Sequence, residues 1–182
     1  MSKGRKSGTK ATSFGSNTAV MKKGERESSR LALIPAYRRE MRVVYEKILV
    51  AVDQSPISDR AVLAARDLAQ LSKGEVWLLH LREFEWGGRA GALPPRETPS
   101  EAEAEVKASV EILTQAGVKA HGVVKNTGYG YAAREIVADA IELDCGIIVM
   151  GSRGRSDLAG LVLGSTAHKV IHLTDRPVLI VR

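Results

Sequence analysis

The chain has 182 residues, of which 44% are hydrophobic and 26% charged, so we expect one folded domain with room for a tail. The single cysteine, Cys145, excludes an internal disulfide and a cysteine-based zinc cluster. No apolar run has the roughly 18 residues that a membrane span needs, and the first residues lack the apolar core of a signal peptide. We therefore expect a cytoplasmic protein with a reduced thiol and no membrane partner.

The positive charge of the chain is concentrated at its start. Residues 1–42 hold 11 Lys or Arg and 3 Glu, a net charge of +8, whereas the remaining 16 basic and 18 acidic residues give 43–182 a net charge of −2. We interpret 1–42 as a basic, disordered extension and 43–182 as the domain. We favour the interpretation of the extension as a solvated tail. Its composition also fits an arm that binds nucleic acid or a membrane surface, or an organellar targeting peptide. The nearly neutral body gives no reason to expect a nucleic-acid partner.

From residue 45 onward, short apolar runs alternate with segments of helical periodicity. The predicted strands are 47–53, 75–81, 118–125, 145–151 and 177–182. The predicted helices follow Ser55, Ser100, Tyr131 and Gly164, and Ser100 with Glu103 is the predicted capping box of the second helix. Residues 84–99 form a predicted loop. This βαβαβαβαβ order predicts a three-layer α/β fold with five parallel strands and a ligand crevice at their carboxyl ends.

Glycines are concentrated directly after the fourth predicted strand, with the spacing Gly-x2-Gly-x9-Gly-Ser. Gly151 and Gly154 allow backbone N–H groups to approach an anion, and Gly164, Ser165 and Thr166 open a helix whose free N–H groups point the same way. Arg153 and Arg155 add positive charge. The segment predicts a phosphate site made from two stretches of backbone, although a turn that serves only the chain path remains the alternative. It is not a Walker loop, because no lysine precedes the hydroxyl residues.

Asp53 is the candidate side chain at the end of the first strand. Its carboxylate can accept hydrogen bonds from a ribose hydroxyl or an adenine amino group, or it can cap the next helix. We favour the ligand role, because Ser55 can supply the cap.

A second glycine pattern, Gly128-x-Gly130-x-x-Ala133, fits a dinucleotide fingerprint poorly, because no acidic residue follows at the expected distance. We interpret it as the turn before a helix. His168 and His172 stand four residues apart without further ligands, so we predict no metal site. No spacing brings together a Ser/His/Asp set, and we name no catalytic residue.

The body of the chain resembles the nucleotide-binding branch of the universal stress protein family. The resemblance covers about residues 45–182 and rests on the segments 45–53, 78–81, 148–154, 163–165 and 176–182. Its most specific element is the Gly-x2-Gly-x9-Gly-Ser spacing. It implies a Rossmann-like, adenine-nucleotide-hydrolase-like fold whose five parallel strands lie in the order 3-2-1-4-5. Gly146 and Thr166 depart from the family, which often has Asp and Val there. Residues 1–40 have no family counterpart.

The resemblance also implies ATP as the ligand, with Mg2+ as its companion ion. The backbone of Leu81 and the Asp53 carboxylate would meet the adenosine, and the glycine segment would hold the ribose and phosphates. The implied nucleotide-binding residues are Ala51, Val52, Asp53, Leu81, Met150, Gly151, Arg153, Gly154, Gly164, Ser165 and Thr166.

These features predict an ATP-binding, nucleotide-dependent regulator in the stress response. A slow ATPase or other adenylate-handling enzyme and a nucleotide-free interaction module are the alternatives. The apolar last strand, Val178–Val181, lies at a sheet edge in the implied order, and we expect a homodimer through it. Because Met41 stands just before the resemblance begins, we also expect residues 1–40 to be dispensable.

Overall fold

The computed structural model describes residues 45–86, 91–93, 95, 97–154 and 163–182. The strands are β1 Lys47–Val52, β2 Glu75–Trp86, β3 Ala92–Leu93, β4 Ala120–Gly128, β5 Ile147–Gly151 and β6 Val178–Val181. The helices are α1 Pro56–Ser72, α2 Pro99–Gln115, α3 Ala132–Glu142 and α4 Ser165–Leu173. The basic extension 1–42, Met41 and Arg155 lie outside the described residues.

Five parallel strands form the central sheet in the order β4-β2-β1-β5-β6. This arrangement confirms the five-stranded α/β fold and the order 3-2-1-4-5 that the resemblance implies. β1 is central because both of its edges pair, with β2 through Ala51 and Leu79 and with β5 through Ala51 and Met150. The chain leaves β1 in one direction to reach β2 and returns past it to reach β5. A crevice therefore opens at the carboxyl end of β1.

Each face of the sheet carries its own hydrophobic core, because successive strand residues point to opposite faces. Ile48 and Val50 of β1 pack with the α1 and α2 side, whereas Leu49 packs with the α3 and α4 side. All three side chains are fully buried. Burial on both faces explains why the strand reads as a continuous apolar run instead of an alternating one.

The start of α2 differs from the sequence prediction. Thr98 is the N-cap and forms the capping box with Glu101, so the predicted box of Ser100 and Glu103 was wrong by two residues. The reason is Pro99, whose fixed φ and missing N–H suit the first position of a helix. The helix begins at this proline, and Ser100 already lies inside its first turn.

β2 is longer than predicted, because its polar end keeps a pairing partner. Residues Arg82, Glu83 and Phe84 lie opposite Asn126, Thr127 and Gly128 of β4 in parallel register. Backbone pairing therefore continues beyond the apolar run that ends at Leu81. The two-residue strand β3 then pairs antiparallel with the end of β2, inside the predicted loop. None of the helices in the described ranges is long and apolar enough to cross a membrane.

Candidate functional site

A cavity of about 300 Å3 opens at the carboxyl ends of β1 and β5, beside residues 79–83 of β2 and the start of α4. The position is the one expected for a ligand in a doubly wound sheet. All eleven residues that the sequence analysis assigns to nucleotide binding line this cavity: Ala51, Val52, Asp53, Leu81, Met150, Gly151, Arg153, Gly154, Gly164, Ser165 and Thr166. The fold thus brings these residues together from four separate stretches of the chain.

Asp53 follows β1 and does not cap α1. Ser55 is the N-cap, and its hydroxyl oxygen accepts a hydrogen bond of 3.2 Å from the N–H of Ser58. The Oδ1 atom of Asp53 accepts hydrogen bonds from the Ser55 hydroxyl at 2.7 Å and from the Ser55 N–H at 3.3 Å. These contacts fix the carboxylate at the cavity wall while the cap is supplied by its neighbour.

The glycines between the end of β5 and the start of α4 lie close to neighbouring protein atoms. A Cβ on Gly154 would overlap the Oδ2 atom of Asp53, and a Cβ on Gly151 would lie 2.9 Å from the side chain of Ile57. A Cβ on Gly164 would lie 3.3 Å from the Arg153 Cα. The sequence analysis attributed the glycines to the approach of an anion, and the structure adds this second reason for them.

Two separated backbone segments meet where α4 begins. The N–H of Gly164 donates a 2.7 Å hydrogen bond to the carbonyl oxygen of Ser152, which ties the start of the helix to the loop after β5. Gly164 is the N-cap of α4 and has no side chain to satisfy the first amides. The N–H groups of Ser165 and Thr166 therefore remain available at the positive end of the helix dipole. Half-buried Arg153 adds a guanidinium to the same wall.

The opposite wall is made of buried side chains. His80 is 2% exposed, and its Nδ1 lies 3.0 Å from the carbonyl oxygen of Val52 while its Nε2 lies 2.9 Å from Oε1 of Glu97. Gln54 Nε2 donates to Oε2 of the same carboxylate at 2.5 Å. Arg82 donates to the carbonyl oxygen of Glu97 at 2.9 Å. Glu97 is thereby held at three of its atoms by residues of β2 and of the turn after β1.

The two sides of the cavity differ in charge. Glu83 and Glu97 contribute carboxylates on the β2 side, Arg153 and the start of α4 contribute a cation and free amides on the β5 side, and Asp53 of the central strand lies against the glycine loop. Such a cavity suits an elongated ligand with hydrogen-bond donors at one end and negative charge at the other.

Three other sequence features do not contribute chemistry to the cavity. Burial raises the pKa of the Cys145 thiol to about 11, so it stays protonated and unreactive at neutral pH. His168 and His172 lie on the exposed side of α4 with ring centroids 4.6 Å apart. No group of three or more His, Cys, Asp or Glu able to hold a metal occurs within the part of the chain that the structure describes.

The second glycine pattern of the sequence lies in the turn before α3. Gly130 has a left-handed φ of 82° there, which agrees with its interpretation as a turn.

Comparison with known proteins decides the family. The model of the universal stress protein family matches residues 44–182. The chain belongs to the universal stress protein family.

The match with individual universal stress proteins covers most of each relative. The chain is 38% identical over 154 residues to the universal stress protein YxiE of Bacillus subtilis (strain 168), covering 76% of this chain and 100% of YxiE. The solved structure of MJ0577 of Methanocaldococcus jannaschii superimposes with a TM-score of 0.62 at 28% identity, covering 76% of this chain and 96% of that one. A universal stress protein from Archaeoglobus fulgidus in complex with dAMP has a TM-score of 0.57 at 25% identity, covering 76% and 99%.

The sequence analysis missed several cavity residues of this universal stress protein. They include the acidic and imidazole side chains of His80, Glu83 and Glu97, and Tyr129 and Pro95 also line the cavity. His80 had a usable signal, because it stands one residue before Leu81 at the carboxyl end of a strand. Glu97 had no such signal, since its contact with His80 depends on tertiary structure and not on a local pattern.

Proposed function

We propose that this universal stress protein binds ATP in the cavity and acts as a nucleotide-dependent regulator in the stress response rather than as a metabolic enzyme. Asp53 and the Leu81 backbone would meet the adenosine. Arg153, the glycines of the loop and the start of α4 would hold the ribose and phosphates. The proposed compartment is the cytoplasm.

The single observation that carries the proposal is the chemical difference between the β2 side of the cavity and the side of β5 and α4. Carboxylate oxygens suit the amino and hydroxyl donors of adenosine, and free helix amides with Arg153 suit phosphate. A related protein from Archaeoglobus fulgidus, 25% identical, is described as a complex with dAMP, which has the same adenine and phosphate groups. A volume of about 300 Å3 lies at the lower end of the usual range for small-molecule sites.

Mg2+ would enter with the phosphates. The described part of the chain offers no cluster of three ligands for a metal on its own, and Asp53 is the cavity carboxylate that contacts the glycine loop. An ion that prefers phosphate oxygens and water needs only one or two protein carboxylates. Its role here would be to neutralise phosphate charge beside Arg153.

Mass spectrometry of small molecules released from freshly purified protein tests the proposal. We expect ATP at close to one equivalent per chain, and much less from a folded Gly164→Val variant prepared in parallel. Recovery of ADP that accumulates on incubation would instead indicate a slow ATPase. Protein that carries no nucleotide and takes up none when ATP is added would contradict the proposal and favour an interaction module.

We further propose that the protein forms a homodimer through β6. The strand pairs with β5 on one side, and its Leu179 is 38% exposed, so an apolar side chain of this strand is accessible for contact. Light scattering should show twice the mass of 19.6 kDa at micromolar concentration. Leu179→Lys should give monomer, whereas the control Leu71→Lys, at a leucine that is 85% exposed on α1, should remain dimeric. A wild-type monomer would rule the dimer out.

A further inference from the structure

The contacts of His80 require either hydrogens on both ring nitrogens or one on Nδ1 and one on the Glu97 carboxyl. The carbonyl oxygen of Val52 can only accept, so the neighbouring Nδ1 of His80 must bear a hydrogen. In a neutral imidazole, Nε2 would then present a lone pair to Oε1 of Glu97 at 2.9 Å. The contact is favourable only when one further proton lies between them, as an imidazolium with a carboxylate or as an imidazole with a carboxylic acid.

We propose that His80 and Glu97 form a positioning pair that shares one proton and fixes the Glu97 wall of the cavity, so that nucleotide binding weakens as rising pH removes that proton. The proton leaves to solvent. One of the two short contacts, with Val52 or with Glu97, is then left with two facing lone pairs. For its ligand, this inference rests on the proposed function.

Glu97 is well placed to transmit the change. It directly precedes Thr98, the N-cap of α2, and contacts Gln54 after β1 and His80 in the middle of β2. Gln54, which donates to its carboxylate, has a left-handed φ of 65°, a conformation that costs energy for a residue other than glycine. The contacts of Glu97 therefore hold both the start of α2 and a strained turn against the cavity.

The charged groups around the pair come from four elements. Arg82 of β2 binds the Glu97 carbonyl, and Asp53 follows β1 at the cavity wall. Glu105 of α2 interacts electrostatically with His80, Glu97 and Asp59 of α1. The Glu105 carboxylate attracts a positive charge on His80, whereas the Arg82 guanidinium repels it.

Glu97→Gln separates a proton-dependent contact from a merely structural one. The introduced amide can donate to Nε2 of a neutral His80 while its oxygen still accepts from Gln54, so both contacts persist without the additional proton. His121→Gln is the matched control, because His121 also lies near a carboxylate, Glu75, but outside the cavity.

The experiment measures ATP affinity by calorimetry and melting temperature without ATP, from about pH 6 to about pH 9. ATP titrates too, so the readout is the ratio of wild-type to Glu97→Gln affinity, which removes that shared contribution. We expect this ratio to fall roughly tenfold across the range, about the effect of one charge-assisted hydrogen bond. The melting temperature of the wild type should fall relative to Glu97→Gln, and His121→Gln should follow the wild type.

An affinity ratio that stays constant within about twofold, with parallel melting curves, would overturn the shared-proton pair. If ATP binds at no pH, the proposed function fails, and the melting temperatures alone decide the inference. A wild-type melting temperature that falls with pH relative to Glu97→Gln would then support the pair, and parallel curves would refute it.

Discussion

The two walls of the cavity differ in whether backbone groups or side chains form them. On the side of β5 and α4 the wall is mostly backbone: glycines pack against Asp53 and Arg153, and helix amides point inward. On the side of β2 the wall is side chains, with His80 and Glu97 buried to 2% and 8% exposure. The backbone wall is set by local sequence, and a Cβ on Gly151 or Gly154 would lie 2.9 Å or less from neighbouring atoms. The side-chain wall depends on tertiary contact and on protonation.

Gly154→Val should have the largest effect, because it forces a side chain into the backbone wall. Its Cβ would overlap Asp53 Oδ2, so the loop and the carboxylate cannot both keep their positions. We expect ATP affinity to fall by about tenfold or more and stability by about 1–3 kcal/mol, measured by calorimetry and thermal unfolding.

A double-mutant cycle with Asp53→Ala checks the cause of that loss. If overlap with the carboxylate is responsible, Gly154→Val should cost less stability in the Asp53→Ala background. Equal costs in both backgrounds would show that Gly154 matters for some other reason.

Thr166→Val should have a smaller effect on the same wall. It removes a hydroxyl but keeps the shape of the side chain at the start of α4. If the hydroxyl donates to a phosphate, ATP affinity should fall about fivefold, with an unchanged melting temperature. Thr114→Val, at an exposed threonine of α2, is the control. Unchanged affinity in Thr166→Val would indicate that the Thr166 hydroxyl does not bind phosphate and that the backbone amides do so without it.

Glu105→Gln tests the side-chain wall through pH. Burial raises the pKa of the Glu105 carboxyl, and this outweighs the opposing effects of His80 and the Gln54 hydrogen bond. The folded state therefore holds the proton more tightly than the unfolded state, so this group's contribution to stability is lost as pH rises through the raised pKa. The variant should melt slightly above the wild type at about pH 7 and match it at about pH 4. Exposed Glu103→Gln is the control, and an equal difference at both pH values would contradict the account.

Removal of residues 1–40 should have the smallest effect on either wall. The cavity residues all lie within the matched region 44–182, so melting temperature and ATP affinity should remain almost unchanged. Thermal unfolding and calorimetry of the chain beginning at Met41 measure both. A truncated protein that is insoluble or does not bind nucleotide would show that the extension supports the domain.

The fold could be predicted from the sequence because its signals are local. Few sheet topologies are compatible with the sequence signals. These signals are apolar runs of strand length, helix starts such as Ser55-Pro56, and crossovers long enough for a helix. Boundaries were less certain where two local signals compete. Ser100 with Glu103 forms a good capping box, but Pro99 moves the start of the helix, and Thr98 takes the cap.

The backbone wall of the cavity was predictable for the same reason, because the glycine spacing and the Gly164-Ser165 helix start are adjacent to strand ends. The side-chain wall was not. Glu97 lies 17 residues from His80 and reaches it only through the path of β3 and the start of α2. Nothing in the spacing of the two residues indicates that they meet, and the proton they share follows only from the hydrogen bond between His80 and Val52.

The most direct test of the account is an amide chemical-shift map of the isotope-labelled protein during titration with ATP. The account predicts the largest shifts in the loop 151–154 and at the start of α4, residues 164–167, with smaller shifts at Asp53 and Leu81. Absence of shifts, or shifts centred on the exposed groove of Arg134 and His172 between α3 and α4, would contradict it.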